Sequence, residues 1–309
     1  MEFFKKQTNI DFMGLRKYTA IFSVVLCIAC IICLFLKGLN LGLDFTGGTQ
    51  LEVRYPAAIQ LDTLRQTLDT AGFGDAKIQH YGSTSDILIR LRSRTRMTEE
   101  QLADDIVKNL KEKDPDVQLK RVEIVGAEVG AQLFEQGGMA LLVALLATMI
   151  YIAMRFEYRF AVSAVIALLH DPIVILGAFS FFQIEFDLAT LAAVLAIIGY
   201  SLNDTIVVFD RVRENFYHFR KMPALDVMNM SINQTLSRTI MTSGSTLLVV
   251  IALLIYGGES LFGFSLALTI GILIGTYSSI YVAGALAVSF GLSRADLVIA
   301  AKKAVDDRP

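Results

Sequence analysis

Apolar residues along this chain fall into six long runs, at 18–36, 137–154, 160–182, 188–209, 239–256 and 262–292, and polar residues fill the intervals. A hydrocarbon core of about 30 Å is crossed by about 20 apolar residues in a helix, so the pattern predicts six transmembrane helices. His170, Asp171 and Pro172 interrupt the third run, and Asn203 and Asp204 interrupt the fourth. Most intervals among the last five runs are short, which predicts antiparallel neighbours in one bundle. The interval at 210–238 is the long one.

The interval between the first two runs has a different pattern. Residues 49–55 alternate as a half-buried strand does, and Leu61, Leu64, Leu68 and Ala71 form a helical stripe closed by Gly72. Residues 76–81 and 87–91 read as strands, with a turn across 81–86. Thr98 and Gln101 form a capping box that opens a helix to about Lys113, and Pro115 marks its end. A last strand follows at 117–125. The order βαββαβ is the ferredoxin-like split motif. The fold class expected is therefore an α-helical membrane protein with six transmembrane helices and an external α+β ferredoxin-like domain between helices 1 and 2. Its parts are a cytoplasmic N-terminus at 1–17, the first span at 18–38, the external domain at 39–136, a five-helix bundle at 137–292 and a cytoplasmic tail at 293–309.

Composition narrows the class. The 309 residues are 54% hydrophobic and 19% charged, with a mean hydropathy of +0.54, against about 25% charged for a soluble domain. That excludes a wholly soluble enzyme, a disordered chain and a disulfide-knotted secreted domain. A net charge of −2 gives no sign of nucleic acid as a partner. Membrane lipid is the partner that the runs imply. Cys27, Cys30 and Cys33 all lie in the first run, where thiols behave as small hydrophobes. His80, His170 and His218 are far apart in sequence, so neither a metal nor another cofactor is expected.

The basic residues orient the spans. Fifteen Lys and Arg lie in the N-terminus, the second-to-third and fourth-to-fifth intervals and the C-terminal tail, against none in the short loops at 183–187 and 257–261. Both termini are then cytoplasmic and 39–136 lies outside. Lys5, Lys6, Arg16 and Lys17 precede the first run, but no small-residue cleavage site follows it, so this run reads as an uncleaved anchor.

Asp204 is the sharpest functional candidate. It lies about 24 Å from the outer end of its run, at about 1.5 Å per residue. An ionised carboxylate there costs at least ~2.5–3.5 kcal/mol, so it must be paired, protonated or wet. A group poised among those states can exchange a proton, and Ser201 and Asn203 are placed to support it. On the fifth helix, expected to start after Pro223, Ser231, Gln234, Arg238, Thr242 and Ser245 share one face. Arg238 on that stripe is the candidate partner that holds Asp204 ionised at rest. The alternative is a flanking basic residue that sets topology. Asp171, near the midplane of the third run, is a second relay site or a structural acceptor. His170 beside it is about 100° around the helix, so the two are not expected to share a face. Gly42, Asp44, Thr46, Gly47 and Gly48 form a compact patch just outside the first span. It reads as a tight turn or as a junction between span and external domain. Gly271 and Gly275 allow a close helix contact in the sixth run. Arg90, Arg92, Arg94 and Arg96 alternate as a solvated strand face.

Three patches resemble the SecF family, the smaller half of the bacterial SecD–SecF protein-export complex. They are GLDFTGG at 42–48, GYSLNDTIVVFDRVREN at 199–215 and NQTLSRT at 233–239. The resemblance extends to the layout of one span, an external domain and five spans. Ala127 stands where the family pattern leads one to expect proline. The resemblance implies an RND-like half bundle in the bacterial inner membrane that works with SecD, the SecYEG translocon and YajC on SecA-dependent preproteins. It implies use of the proton motive force, and it matches the family's functional arginine to Arg238. A role in energy-coupled transport competes with two others. One is an intramembrane aspartyl protease using Asp171 and Asp204, which lacks the Gly-x-Gly-Asp signature. The other is a passive scaffold. No nucleotide-binding loop of the Gly-Lys-Ser/Thr kind is present and no enzymatic role is expected. The resemblance implies protons as the coupling ion, which a carboxylate–arginine pair fits better than sodium.

Overall fold

The apolar runs are helical, and most helices extend beyond them. A computed structural model of the protein describes residues 8–91, 98–219 and 221–292. The spans are α1 (Arg16–Lys37), α5 (Ala127–Arg155), α6 (Tyr158–Phe182), α7 (Leu188–His218), α8 (Ala224–Tyr256) and a composite last span. Between α1 and α5 lie β1 (Asn40–Leu41), α2 (Leu43–Thr46), β2 (Gly48–Arg54), α3 (Leu61–Thr70), β3 (Lys77–Tyr81), β4 (Ser83–Leu91), α4 (Glu99–Lys113) and β5 (Gln118–Val125). A two-residue strand, β6 (Glu185–Phe186), separates α6 from α7.

The last span departs from the uniform helix that its apolar run predicts. It is α-helical over Glu259–Tyr277 (α9), π-helical over Ser278–Ala283, and α-helical again over Gly284–Ser289 (α10). α6, by contrast, runs unbroken through Pro172.

Burial separates the helices into two layers. The most apolar windows of α6, α7 and the last span are 67%, 50% and 50% buried, against 11% for α1, α5 and α8. The first three therefore form the centre and the others present their sides outward. Glycine brings α9 against α7: a Cβ on Gly271 would overlap Ile197, and one on Gly275 would lie 3.0 Å from the Ser201 Cβ. At the end of the bundle near the α5–α6 turn, Phe160 and Phe209 pack at a tilt with ring centroids 4.7 Å apart among Ile152, Val212 and Met228. The chain before α1 folds back on α8, where Asn229 and Asn233 accept from the backbone amides of Phe12 and Ile10 at 2.8 and 2.9 Å.

The external domain is a four-stranded antiparallel sheet in the order β3-β4-β2-β5, which is the ferredoxin-like arrangement. Alternation in β2 and β4 buries Leu51, Val53, Ile87 and Ile89 against Leu64 and Leu68 of α3 and Leu102 and Ile106 of α4. Each such side chain contributes about 1.5–3 kcal/mol when fully buried. The other face is polar, and with the α6–α7 loop it bounds a cavity of 490 Å³ lined by Gln50, Arg90, Arg121, Glu123, Glu185 and Ser260. Thr98 and Gln101 form the capping box that opens α4.

The β3–β4 hairpin is tighter than the turn expected across 81–86. Tyr81 already pairs with Ser83, because Gly82 takes a positive φ of 74°. The polar residues after it join the strand, since Asp86 is clamped by Arg54 at 2.7 and 2.8 Å and by Lys120 at 2.9 Å. These contacts, the Arg54 hydrogen bonds above all, hold the Asp86 carboxyl well below the usual carboxylate range. Of the alternating arginines, Arg90 bonds Glu185, while Arg92, Arg94 and Arg96 lie outside the described residues, as do 1–7, Arg220 and the tail at 293–309.

Candidate functional site

Two polar seams run through the structure: one at the outer junction of bundle and domain, one inside the bundle. The outer seam is built by the 42–48 patch. Gly42 donates its backbone N–H to Phe186 at 2.9 Å, next to the parallel pairing of β1 with β6. Thr46 Oγ1 donates to the Gly42 carbonyl at 3.0 Å. Asp44 accepts from the Leu188 N–H at 2.9 Å and so sits at the N-terminus of α7, where a carboxylate is favoured. Gly47 has a φ of +64°, and a Cβ there would come within 2.7 Å of the Ala127 Cα. Only glycine meets both demands. Gly48 begins β2. The patch therefore ties the end of α1 to α5, to α7 and to the sheet, a wider set of elements than one span and one domain. Arg90 to Glu185 (2.7 Å) and Tyr81 to Ser260 (2.7 Å) add contacts between sheet and bundle.

Inside the bundle, Asp204 of α7 is half-buried. It accepts from Thr239 Oγ1 of α8 at 2.7 Å and from Ser279 Oγ of the π turn at 2.6 Å. The expected pair with Arg238 is not formed: Arg238 is exposed, and among the described residues no ion pair reaches Asp204. The reason is rotational. Arg238 lies about 100° around α8 from Thr239, and the packed polar face of α8 is Ser231, Thr235 and Thr239, at intervals of four. The stripe drawn from sequence is displaced from this face. Thr242 and Ser245 on it are exposed with Arg238, while Gln234 serves a separate cluster. There Gln234 Oε1 accepts from Arg211 and from Asn215, both at 2.7 Å, and Asn215 also donates to Ser231 at 2.8 Å.

Ser201 does not support Asp204 either. It donates to Asp171 Oδ2 at 2.5 Å, and Ser278 Oγ donates to the same oxygen at 2.9 Å. Asn203 is exposed, and its side chain makes no hydrogen bond among the described residues. Asp171 is 1% exposed, and its Oδ1 meets the Nδ1 of His170 at 2.9 Å. The expectation that these neighbours point apart is overturned: successive helical positions diverge, yet the short Asp171 side chain reaches the ring within the packed interior.

Sequence reasoning thus missed His170, Thr239, Ser278 and Ser279. Two signals were present: the Ser231-x-x-x-Thr235-x-x-x-Thr239 spacing, and a serine doublet in an otherwise apolar span. Neither could be assigned without the helix rotations.

The family models for the SecD/SecF protein-export membrane protein C-terminal region and for the SecD/SecF GG motif match residues 105–293 and 34–55. This chain belongs to the SecD/SecF protein-export family. The 42–48 junction falls within the GG motif, and both acids fall within the C-terminal region. Relatives named protein translocase subunit SecF include that of Vibrio alginolyticus, 50% identical over 95% of this chain and 94% of the relative. That of Pseudomonas aeruginosa is 46% identical over 97% and 98%. The crystal structure of SecDF, a translocon-associated membrane protein from Thermus thermophilus, matches with a TM-score of 0.83 and 38% identity. It covers 92% of this chain, and this chain spans 39% of its length. The protein is a multi-pass membrane protein of this family with six spans and a separate α+β domain.

Proposed function

We propose that this chain is an accessory subunit of the Sec protein translocase. In this proposal it uses the proton motive force to assist preprotein translocation, through proton binding at Asp204 coupled to motion of the external domain. The observation that carries the proposal is the environment of Asp204: a carboxylate at membrane depth held, among the described residues, by two hydroxyls and by no cation. A hydroxyl can donate to an ionised carboxylate or accept from a neutral acid, so either charge state is accommodated. The 42–48 junction supplies the mechanical link, because it joins α7, which bears Asp204, to the sheet through Asp44 and β1. One charge moved through 100 mV is worth about 2.3 kcal/mol. That shifts a two-state element by roughly fifty-fold, without any nucleotide site.

The proposed setting is the bacterial inner membrane with both termini cytoplasmic and residues 39–136 periplasmic. SecD, the SecYEG translocon and YajC are the proposed partners, and SecA-dependent preproteins the polypeptide substrate. Names of relatives support the translocase role, and the basic-residue count supports the orientation. Arg238 keeps a part as an exposed cation at the flank of α8, where a partner subunit, headgroups or water must meet it. Asp171 is the proposed second relay acid.

The test is export into membrane vesicles carrying the assembled complex, with and without a proton gradient, for the natural chain and Asp204→Asn. The expected result is loss of the gradient-dependent increment with assembly and basal export intact. An undiminished increment in Asp204→Asn would overturn the proposal and leave a scaffold.

A further inference from the structure

We propose that His170 and Asp171 form a second proton-binding site, and that the π turn Ser278–Ala283 couples its charge state to that of Asp204. The coupling rests on Asp204 being a proton-exchanging group; the site itself does not.

Both oxygens of Asp171 are engaged. Oδ2 accepts from Ser201 and Ser278, and Oδ1 faces His170 Nδ1. A carboxylate can only accept, so Nδ1 carries the proton in that contact. In the neutral ring Nε2 is then a bare acceptor. It is buried and has no hydrogen-bond partner among the described residues, on a residue 5% exposed. Natural structures pair nearly all such atoms, and each exception calls for a reason. The reason here is chemical. A proton bound at Nε2 forms one N–H bond and makes an imidazolium, whose charge the Asp171 carboxylate balances. The pair changes from net −1 to net zero, and release of the same proton reverses the step.

The surroundings contain no fixed charge to pre-empt this. From α1 the Cys27 thiol faces the ring as a weak hydrogen-bonding neighbour, without meeting Nε2 at hydrogen-bond geometry. From α9 the Tyr277 ring lies 6.3 Å away, itself packed at a tilt against Tyr281. α7 presents Ser201, with Asp204 three residues further along the same helix. The π turn presents Ser278. α5 has no charged residue between Gly137 and Met154.

Consecutive residues of the π turn read the two acids. Ser278 donates to Asp171 and Ser279 to Asp204, and both serines are 0% exposed. When Asp204 is protonated at Oδ2 it changes from acceptor to donor toward Ser279, which must turn or withdraw. Ser278 moves with the same turn of helix, and with it the hydrogen bond to the Asp171 carboxylate that balances the imidazolium. π turns inside α-helices are frequent at functional sites. Coupling of this kind is reciprocal, so each site must shift the proton affinity of the other equally.

The chain has three histidines, so His80→Gln with His218→Gln leaves His170 alone. Nitrogen-15 histidine spectra of the full chain in lipid nanodiscs, taken from pH 5 to 9, report its protonation. The expected result is a permanently protonated Nδ1 and a single proton uptake at Nε2. Its midpoint should move by about half a pH unit, or roughly threefold in affinity, in Asp204→Asn. In Ser279→Ala, which keeps both acids, the further effect of Asp204→Asn should vanish. A ring whose Nε2 state does not change across the range overturns the site, and a midpoint indifferent to both variants overturns the coupling. Vesicle export separates this from the preceding proposal: a titrating His170 with gradient-insensitive export retires the proton drive alone, and a silent ring with gradient-driven export retires this site alone.

Discussion

Asp86 in the external domain and Asp204 in the bundle are both carboxylates bonded from neighbouring elements, and they differ in what bonds them. Arg54 clamps Asp86 with two bonds, and Lys120 adds a second cation. Among the described residues Asp204 meets only the hydroxyls of Thr239 and Ser279. Cations favour one charge state strongly, and hydroxyls accommodate both. The same residue type is thus a fixed brace on one side of the junction and, in the proposal above, the proton-exchanging group on the other. Asp171 belongs with Asp204, with a histidine in place of a permanent cation.

The most drastic way to break this contrast is to give Asp204 a cation. Thr239→Lys places an ammonium where the hydroxyl sits. The expected outcome is loss of gradient-dependent export by tenfold or more, as ~1.4 kcal/mol in favour of the ionised form would produce, although the acid is intact. The vesicle assay with and without a gradient measures it. Undisturbed export would mean that hydroxyl partners are not what matters at Asp204.

A smaller effect sharpens the other side. Asp86→Asn leaves two cations facing a neutral amide and should cost the external domain about 1–3 kcal/mol at neutral pH, read as faster proteolysis of the domain in the full chain. The pH dependence has a definite sign. Because Asp86 is held below the usual carboxylate range in the fold, its stabilisation is complete above the unfolded value of about 4 and is lost as pH falls through the lower folded value. Asp86→Asn should remove that part of the acid sensitivity and leave the rest of the curve in place. The smallest effect belongs to the junction. Arg90 and Glu185 are partly solvated, so Arg90→Gln should weaken docking by less than about 1 kcal/mol. Hydrogen exchange at the β1–β6 pair should then rise by less than about fivefold.

Much of this molecule was legible in its residues. Each apolar run is a helix, the βαββαβ order is the sheet observed, and the motif patches mark the family. The capping box at Thr98 and the start of α8 after Pro223 are local features, and both were readable as such. The hairpin at Gly82 was misjudged because a Ser-Thr-Ser-Asp stretch has loop composition, and only the distant Arg54 and Lys120 make it a strand. The partner of Asp204 was misjudged for a related reason. One residue along α8 is about 100° of rotation, so choosing Arg238 over Thr239 needs the helix's orientation in the bundle.

Hydropathy, periodicity and caps are properties of neighbouring residues, and from them the chain alone determined six spans, an inserted α+β domain and two acids at membrane depth. Tertiary packing decided which hydroxyl meets which acid, that His170 turns back onto Asp171, and that Arg238 faces outward. Those outcomes depend on how long helices rotate against one another, and that rotation is set by the close approach of α9 to α7 at Gly271 and Gly275 and by the π turn after Tyr277.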